Sequence, residues 1–501
     1  MDLFNNLLLG FGTALSWYNL FYCFLGCLLG TLIGILPGLG PLATISMLLP
    51  ITFGMDSTSA LIMLSGIYYG AAYGGSTTAI LVNLPGETSS VVTVIDGHQM
   101  ARQGRAGVAI ATAAIGSFAA GCVGTLVLAA FAAPLSQMAY RFGSAEYFSL
   151  MVVGLIGAVS LSSGSVIKAV GMIIVGIILG TIGTDLESGV PRFTFGVAHL
   201  WDGLDFIVIA VGLFAFGEVI ATLEHKDETT EVTMAVGRLM PNREDFRRMT
   251  PSILRGTALG SILGILPGAG LSIASFMSYS LEKKVSRYRH LLGKGAIEGV
   301  AGPESANNAA AQTAFIPTLT LGIPGGPTMA LLLGAMIMHD IQPGPQVMTK
   351  NPELFWGLIA SMWIGNLMLV MLNLPLVGLW VKLLQIPYRV LYPAIMLFCC
   401  IGVYASQISV LDVYIAAGFG LVGYVLRKLE CEPAPLVLGF VLGPLMEAHF
   451  RRAMVLSQGD LTTFIREPIS ASFLFVALLL LLLAFIPVFR KKIEVVDNGF
   501  N

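Results

Sequence analysis

The segment Gly30-Thr-Leu-Ile-Gly34-Ile-Leu-Pro37-Gly38-Leu-Gly40 occurs a second time as Gly260-Ser-Ile-Leu-Gly264-Ile-Leu-Pro267-Gly268-Ala-Gly270. Seven of the eleven positions are identical, and the substitutions at the others are conservative. Proline removes a backbone N–H and clashes with the preceding helical turn, whereas glycine accepts a positive φ. Each copy therefore predicts a helix that is broken at Pro-Gly and followed by a new helix.

A second pair of motifs follows the first pair in the same order. Asn83-Leu-Pro85-Gly86 corresponds to Gly322-Ile-Pro324-Gly325, and each follows a helix rich in small residues. The chain is interpreted as a first transporter repeat at 1–224 and a second, with the C-terminal helices, at 253–489. A cytoplasmic linker at 225–252 joins them, and a cytoplasmic tail follows at 490–501. Paired Gly/Pro-interrupted segments in two halves indicate the binding site of a transporter.

The composition indicates a chain embedded in lipid. Hydrophobic residues make up 55% of the chain and charged residues only 11%, whereas soluble domains carry roughly 25% charged residues. Apolar stretches of spanning length recur along the chain and predict about twelve membrane-embedded elements. The expected fold class is an all-α polytopic membrane protein. The net charge of −2 shows no excess of basic residues, so a nucleic acid partner is not expected.

The positive charges are distributed unevenly. The first Lys or Arg is Arg102, and basic residues then concentrate at 226–255, 283–289 and 490–492. Under the positive-inside rule these three regions are cytoplasmic and the N-terminus lies outside. The first Pro-Gly copy is preceded by no positive charge and the second follows a basic loop, so the repeats are predicted to be inverted. Arg451, Arg452 and Arg466 leave the orientation of the C-terminal segments open.

The second copy lies between two basic flanks. Only 26 residues, Gly256–Leu281, separate them, which is too few for two full membrane crossings. These residues are predicted to enter the membrane, turn at Pro267–Gly270 and leave on the same side. Such a re-entrant hairpin survives only where protein or a water-filled cavity surrounds it.

The breaks predict a site for an anion together with a cation. A broken helix exposes N–H groups that suit carboxylate oxygens and C=O groups that suit Na⁺. No Lys or Arg lies between Lys294 and Lys350. A bound anion would therefore be held by helix ends, hydroxyls and amides, and a co-transported cation would offset its charge.

The candidate substrate-binding residues share glycine backbone, hydroxyl or amide groups next to the breaks: Gly38, Gly40, Ser76, Thr77, Thr78, Asn83, Gly86, Gly268, Gly270, Asn307, Asn308, Gly325, Gly326 and Thr328. The candidate Na⁺ ligands offer carbonyl, amide or hydroxyl oxygens: Pro37, Gly38, Asn83, Pro267, Asn308, Gln312 and Thr313. Small polar residues also mediate close helix packing in membranes. Asn307 and Asn308 favour a functional role, because an unmatched amide at membrane depth is costly.

Six ionisable residues lie near the motifs or near membrane edges. Glu87 and Glu304 adjoin the motifs, and embedded carboxylates are functional candidates, although Glu87 is also interpretable as a loop-exposed group. The pairs Asp96/His98 and His339/Asp340 are interpreted as interfacial. The chain contains no GxSxG, HExxH or Walker A motif, so no enzymatic activity is expected. No cofactor is expected besides the coupling ion.

The sequence resembles the large membrane subunit of the tripartite tricarboxylate transporter family (TctA). The motifs that carry the resemblance are Gly34-Ile-Leu-Pro-Gly-Leu-Gly-Pro41, Tyr68-Tyr-Gly-Ala-Ala-Tyr-Gly-Gly-Ser76, Asn83-Leu-Pro-Gly86, Pro303-Glu-Ser-Ala-Asn-Asn-Ala-Ala310 and Leu321-Gly-Ile-Pro-Gly325. The resemblance implies a multi-pass secondary transporter of a bacterial inner membrane, driven by a Na⁺ gradient. It also implies a small membrane subunit (TctB-like), a periplasmic substrate-binding protein (TctC-like) and an elevator-like motion of the hairpins against a scaffold.

Three functions are compatible with these features. The leading hypothesis is cation-coupled uptake of a small organic di- or tricarboxylate. A channel-like permease is one alternative, which would show a continuous pore lining or a ring of charge. Transport of a neutral or amino-acid solute is the other.

Overall fold

The structure is a computed structural model of the chain. It describes residues 3–36, 39–139, 141–161, 165–185, 188–224, 237–266, 270–344, 346–384 and 388–485. Pro37, Gly38, Pro267 and Gly268, four of the predicted site residues, lie outside the described residues.

The helices of the first half are α1 (Leu3–Ala14), α2 (Trp17–Gly34), α3 (Pro41–Leu48), α4 (Ser57–Val82), α5 (Val91–Met100), α6 (Ala106–Ala139), α7 (Ser144–Leu161), α8 (Val166–Gly180), α9 (Phe206–Ala210) and α10 (Gly217–Glu224). π-Helical turns at Ala101–Arg105 and Val211–Phe216 join α5 to α6 and α9 to α10. Two short antiparallel strands, β1 (Gly183–Thr184) and β2 (Pro191–Arg192), are the one addition to the predicted all-α fold in the part of the chain that is described.

The helices of the second half are α11 (Arg243–Ile265), α12 (Gly270–Val285), α13 (Glu298–Thr313), α14 (Phe315–Leu321), α15 (Pro327–Met338), α16 (Val347–Lys350), α17 (Pro352–Asn373), α18 (Val377–Leu383), α19 (Tyr388–Gln407), α20 (Val410–Lys428), α21 (Pro433–Leu456), α22 (Thr463–Arg466) and α23 (Pro468–Phe485). Short 3₁₀ turns lie at Leu49–Thr52, Thr88–Ser90, Ala198–Asp202 and Arg289–Leu291.

The prediction of a multi-pass membrane protein is confirmed. Among the described residues, six helices are long and apolar enough to cross a membrane, and six shorter apolar helices of 10–17 residues accompany them. Large apolar side chains on the outside of the bundle, such as Trp17 and Phe398, are exposed. In a lipid-embedded chain these side chains face acyl tails rather than water.

Each half contains the same close helix pair. Glycines recur at four-residue intervals on α2 (Gly26, Gly30, Gly34) and on α11 (Gly256, Gly260, Gly264). A Cβ added at Gly30 would lie 2.4 Å from the carbonyl oxygen of Ile67 in α4. A Cβ added at Gly260 would lie 2.2 Å from the carbonyl oxygen of Ala306 in α13. Both pairs therefore use the small-residue packing that lets membrane helices approach closely.

The second pair of motifs also has matching backbone geometry. Asn83 ends α4 with φ 61° and Gly322 ends α14 with φ 72°, both in the left-handed region. In each case the helix stops at this residue and a non-helical segment that contains Pro-Gly follows. Gly86 then packs so tightly on α4 that a Cβ there would lie 2.4 Å from the Cα of Gly75.

Ion pairs hold the basic ends of the second hairpin together. Arg255 of α11 lies 2.7 Å from the fully buried Glu282 of α12. Arg248 lies 2.8 Å from Glu298, the first residue of α13, and stacks over the Tyr288 ring. Arg255 and Glu282, which flank the predicted hairpin Gly256–Leu281, therefore lie side by side, as a hairpin requires.

The helices α7–α10 and α19–α23 pack mainly on one another. A Cβ at Gly176 of α8 would lie 1.9 Å from the carbonyl oxygen of Leu436 in α21. Ser149 of α7 and Ser470 of α23 share a buried hydrogen bond of 2.7 Å. We call these helices the peripheral bundle.

Two cations of the C-terminal region are paired with carboxylates. Arg451 lies 3.1 Å from Asp185, and Arg466 lies 2.9 Å from Asp460. Hydrogen bonds from Thr462 lower the pKa of Asp460, so this carboxylate is charged opposite Arg466. These two arginines therefore add little net positive charge to the segment after α21.

Candidate functional site

Polar residues from both halves meet in two clusters between α4 and α13. We call the first the tip cluster, which consists of Glu87, Thr88, Ser89, Ser272 and Asn307. We call the second the Glu304 cluster, which consists of Ser76, Thr93, Ser117, Glu304 and Asn308. Each cluster joins side chains that lie about two hundred residues apart in the sequence.

The tip cluster connects the Asn83–Gly86 break with α12 and α13. The Asn307 side-chain amide donates to Glu87 Oε1 at 3.2 Å, and the Ser89 hydroxyl donates to the same oxygen. The hydroxyls of Thr88 and Ser272 are 2.6 Å apart. The Asn307 carbonyl oxygen is buried and has no hydrogen-bond partner among the described residues. Because an unmatched buried acceptor is costly, this oxygen is suited to a bound donor or cation.

Two helix starts adjoin the tip cluster. Gly40 immediately precedes α3, and a Cβ there would lie 3.3 Å from Glu87 Cβ and 3.2 Å from the Gly86 carbonyl oxygen. Gly270 begins α12 with φ 64°, two residues before Ser272. The chain segments that follow both Gly-Ile-Leu-Pro-Gly copies therefore reach the same cluster, and their first N–H groups lack helical partners.

The Glu304 cluster is buried. Glu304 is 2% exposed. Its Oε2 accepts from the Ser76 hydroxyl at 2.8 Å, and its Oε1 accepts from the Thr93 hydroxyl. The Asn308 amide donates to Ser117 at 2.7 Å and to the Glu304 backbone carbonyl at 3.1 Å. None of the ion pairs among the described residues involves Glu304.

Some of the predicted site residues lie in these clusters or beside them. Ser76, Asn307 and Asn308 belong to the clusters, and Gly40 and Gly86 adjoin Glu87. Their roles in binding stay predictions.

Other predicted residues make contacts typical of packing. Thr78 donates to the Ile35 carbonyl at 2.6 Å and ties α4 to the end of α2. Thr77 and Thr313 donate to carbonyls of their own helices, and Gln312 accepts from the Tyr69 hydroxyl at 2.8 Å. The threonine hydroxyl hydrogens are thus already used in helix contacts, whereas the hydroxyl oxygens keep their lone pairs.

The predicted loop residues lie at the helix ends. Asn83 is exposed at the C-terminus of α4. Gly325 packs against Ala314, Gly326 is extended with φ 179°, and Thr328 is half-buried in the first turn of α15. The backbone of these residues shapes the second break.

Sequence reasoning missed Ser272 of the tip cluster and Thr93 and Ser117 of the Glu304 cluster, and it did not predict the contacts of Asp96. Thr93 is the one hydroxyl residue of α5, and Ser117 is one of several hydroxyl residues in the apolar helix α6, so the sequence pattern does not distinguish either from packing residues. Asp96, interpreted above as interfacial, is fully buried and accepts from the N–H groups of Gly293, Gly295 and Ala296 at 2.8–3.0 Å. The Tyr279 hydroxyl also donates to it at 2.9 Å. Asp96 thus holds the loop between α12 and α13 against α5.

Comparisons with known proteins point to one family. The sequence model described as the Tripartite tricarboxylate transporter TctA family matches residues 20–438, which include both clusters. The chain is 58% identical over 492 residues, 98% of each chain, to an uncharacterized 52.8 kDa protein in the TAR-I ttuC' 3' region of Agrobacterium vitis. It is 61% identical over 233 residues to an uncharacterized protein in the TAR-II ttuC' 3' region of the same organism, covering 46% of this chain and 96% of that protein. No solved structure matches.

Proposed function

Because this chain belongs to the tripartite tricarboxylate transporter TctA family, we propose that it is the large membrane subunit of a binding-protein-dependent secondary transporter. Its substrate is a small organic di- or tricarboxylate, and a cation gradient, that of Na⁺, drives uptake. The family implies TctB-like and TctC-like partner components. The chain acts in the inner membrane of a bacterium, and a transporter of this kind catalyses no covalent reaction.

The observation that carries this proposal is the convergence of two broken helices on the tip cluster. The cluster offers amide, hydroxyl and backbone N–H donors, all suited to carboxylate oxygens. It includes the Glu87 carboxylate and no Lys or Arg. An anionic substrate there would meet net negative charge unless a cation accompanied it. The electrostatics therefore favour co-transport with cations over uptake of the anion alone.

The interleaving of the halves supports an elevator-like mechanism. α13 packs on α6 of the first half, and α4 packs on α17 of the second. The proposed repeats, 1–224 and 253–489, would thus contribute their hairpins to one unit. This unit would move against the peripheral bundle and carry the site between the two membrane faces.

Uptake is expected to need both the binding protein and a Na⁺ gradient. Proteoliposomes that contain both membrane subunits and receive the loaded binding protein should accumulate labelled carboxylate at least tenfold faster in Na⁺ than in choline buffer. The reason is that the tip cluster has no cationic side chain to neutralise the substrate. Initial rates measured in the two buffers provide the test, and equal rates would contradict Na⁺ coupling.

The hairpin α11–α12 is expected to enter and leave the membrane on the cytoplasmic side. In a cysteine-free chain, Glu244→Cys and Lys284→Cys introduce reporters at exposed positions on its two flanks. Both should react with an impermeant maleimide in inside-out vesicles but not in intact cells. Asp340→Cys, at the exposed end of α15, serves as the control and should react in intact cells. Labelling of the two flanks from opposite sides would contradict a re-entrant hairpin.

A further inference from the structure

A small cavity lies beside the Glu304 carboxylate, between α4, α6, α13 and α17. Its volume of about 10 Å³ corresponds to one water-sized sphere. Its polar lining consists of Tyr73, Ser76, Thr77, Ser117, Glu304 and Asn373. Apart from the Asn373 amide nitrogen, every polar side-chain atom in this lining is oxygen.

Asn373 is the unusual member of this lining. It is 2% exposed, and its amide nitrogen donates to the Leu369 carbonyl of its own helix at 2.9 Å. Its carbonyl oxygen is buried without a hydrogen-bond partner among the described residues. Asn366, two turns earlier on α17, accepts from Tyr73 and donates to the Phe118 carbonyl, both at 2.9 Å. The unmatched oxygen of Asn373 therefore marks the cavity as a place for a ligand that attracts oxygen lone pairs.

The charge in the cavity points to a cation. Glu304 receives two hydroxyl hydrogen bonds, which stabilise a carboxylate but leave its charge uncompensated. No Lys, Arg or His among the described residues forms an ion pair with it. An uncompensated carboxylate at this depth is costly, so a bound ion of charge +1 would stabilise the site.

We propose that this cavity binds one monovalent coupling cation, with Glu304 as the charged ligand and Asn373 Oδ1 as a neutral ligand. The hydroxyl oxygens of Ser76, Thr77 and Ser117 complete the oxygen set. The cation is Na⁺ or a proton held on Glu304. Divalent cations use several carboxylates, whereas this cavity has one. The inference rests on the proposed function, and its ligand set for the coupling ion contains none of the Na⁺ ligands predicted from sequence.

Other titratable groups surround α13, and their contributions to any measured pH dependence must be distinguished from that of Glu304. They include Tyr69 and Tyr73 of α4, Glu87 before α5, Asp96 of α5, Cys122 of α6, Tyr279 of α12, and Glu282 and Glu298 with their arginine partners.

Thermal unfolding of the full chain in nanodiscs tests the site. The unfolding midpoint is measured in NaCl and in choline chloride at equal ionic strength, between pH 5 and 8. A Na⁺ site predicts saturable stabilisation by NaCl, whereas a proton site predicts stabilisation by acid pH and none by NaCl. Glu304→Gln should abolish whichever dependence the wild type shows. Asn373→Leu should raise the Na⁺ concentration for half-maximal stabilisation at least tenfold in the first case.

Glu146→Gln is the matched control, since it removes a buried carboxylate of α7 that lies outside both clusters and should keep the cation dependence. If Glu304→Gln does not fold, a Na⁺ site is tested with Asn373→Leu and Ser76→Ala, which should both weaken the stabilisation by NaCl. A proton site is then tested with Ser76→Ala. This variant removes a donor to the Glu304 carboxylate and should shift the pH at which stabilisation is half-maximal. The inference is overturned if these variants respond as the wild type does, or if the wild type responds to neither cation. Carboxylate uptake in proteoliposomes tests the proposed function separately. If the wild type takes up carboxylate but the unfolding midpoint of Glu304→Gln still depends on the cation as in the wild type, only this inference is overturned.

Discussion

Replacing Asn307 with Ala is expected to lower carboxylate uptake about a hundredfold while the chain still accumulates in the membrane. Asn307 supplies both the amide that donates to Glu87 and a buried carbonyl oxygen that has no hydrogen-bond partner in the described part of the chain. A hydrogen bond to a charged group contributes about 1.5–3 kcal/mol, and about 2.7 kcal/mol corresponds to a hundredfold change. The measurement is the initial uptake rate in proteoliposomes, normalised to the amount of chain in the bilayer.

Asn308→Ala should act in the same direction, since Asn308 binds Ser117 within the Glu304 cluster. Thr320→Val is the control on the neighbouring helix α14, because the Thr320 hydroxyl bonds only the Ile316 carbonyl of its own helix among the described contacts. Its uptake should match the wild type. Wild-type uptake by both asparagine variants would exclude their assignment to the site.

Replacing Gly260 with Leu is expected to reduce the yield of folded chain more than tenfold. Even a Cβ at this position would lie 2.2 Å from the Ala306 carbonyl oxygen, so α11 and α13 would have to separate. Overpacking of this kind costs about 3 kcal/mol, and here it would also displace the residues of α13 that form both clusters. The monodisperse fraction in size-exclusion chromatography after detergent extraction measures the effect.

Gly171→Leu in α8 is the control for this variant. A Cβ at Gly171 meets no atom of the described residues within 4 Å, so the same substitution adds a side chain without a clash among them. Its yield should equal that of the wild type. Similar yields for the two variants would show that the α11–α13 contact tolerates separation.

The parts of the fold that depend on local chemistry could be predicted from the sequence. Left-handed Asn83 and Gly322 end their helices because asparagine and glycine accept that conformation before Pro-Gly. Glycines four residues apart are visible in the sequence and predict one helix face that packs closely on another helix. The sequence does not show which helix that face contacts.

The composition of the site was less predictable for the same reason. Glu304 lies 228 residues from Ser76 and 211 from Thr93, so its surroundings depend on how four helices pack. Asn373 ends an apolar helix and resembles a capping residue in sequence. Only its position at the cavity distinguishes it from Asn366. Several hydroxyl residues chosen for their place near a motif instead bond carbonyls, because a buried threonine in a helix readily donates to the preceding turn.

The burial of Asp96 has a consequence for how the chain is made. Its partners, the N–H groups of Gly293, Gly295 and Ala296, lie 197–200 residues further along the chain. At a synthesis rate of about 5–20 residues per second, Asp96 leaves the ribosome roughly 10–40 seconds before them. During that interval the first half must keep this carboxylate hydrated, since a buried charge without hydrogen-bond partners is costly. Insertion of the first half therefore precedes its final folding, which the arrival of the second hairpin completes.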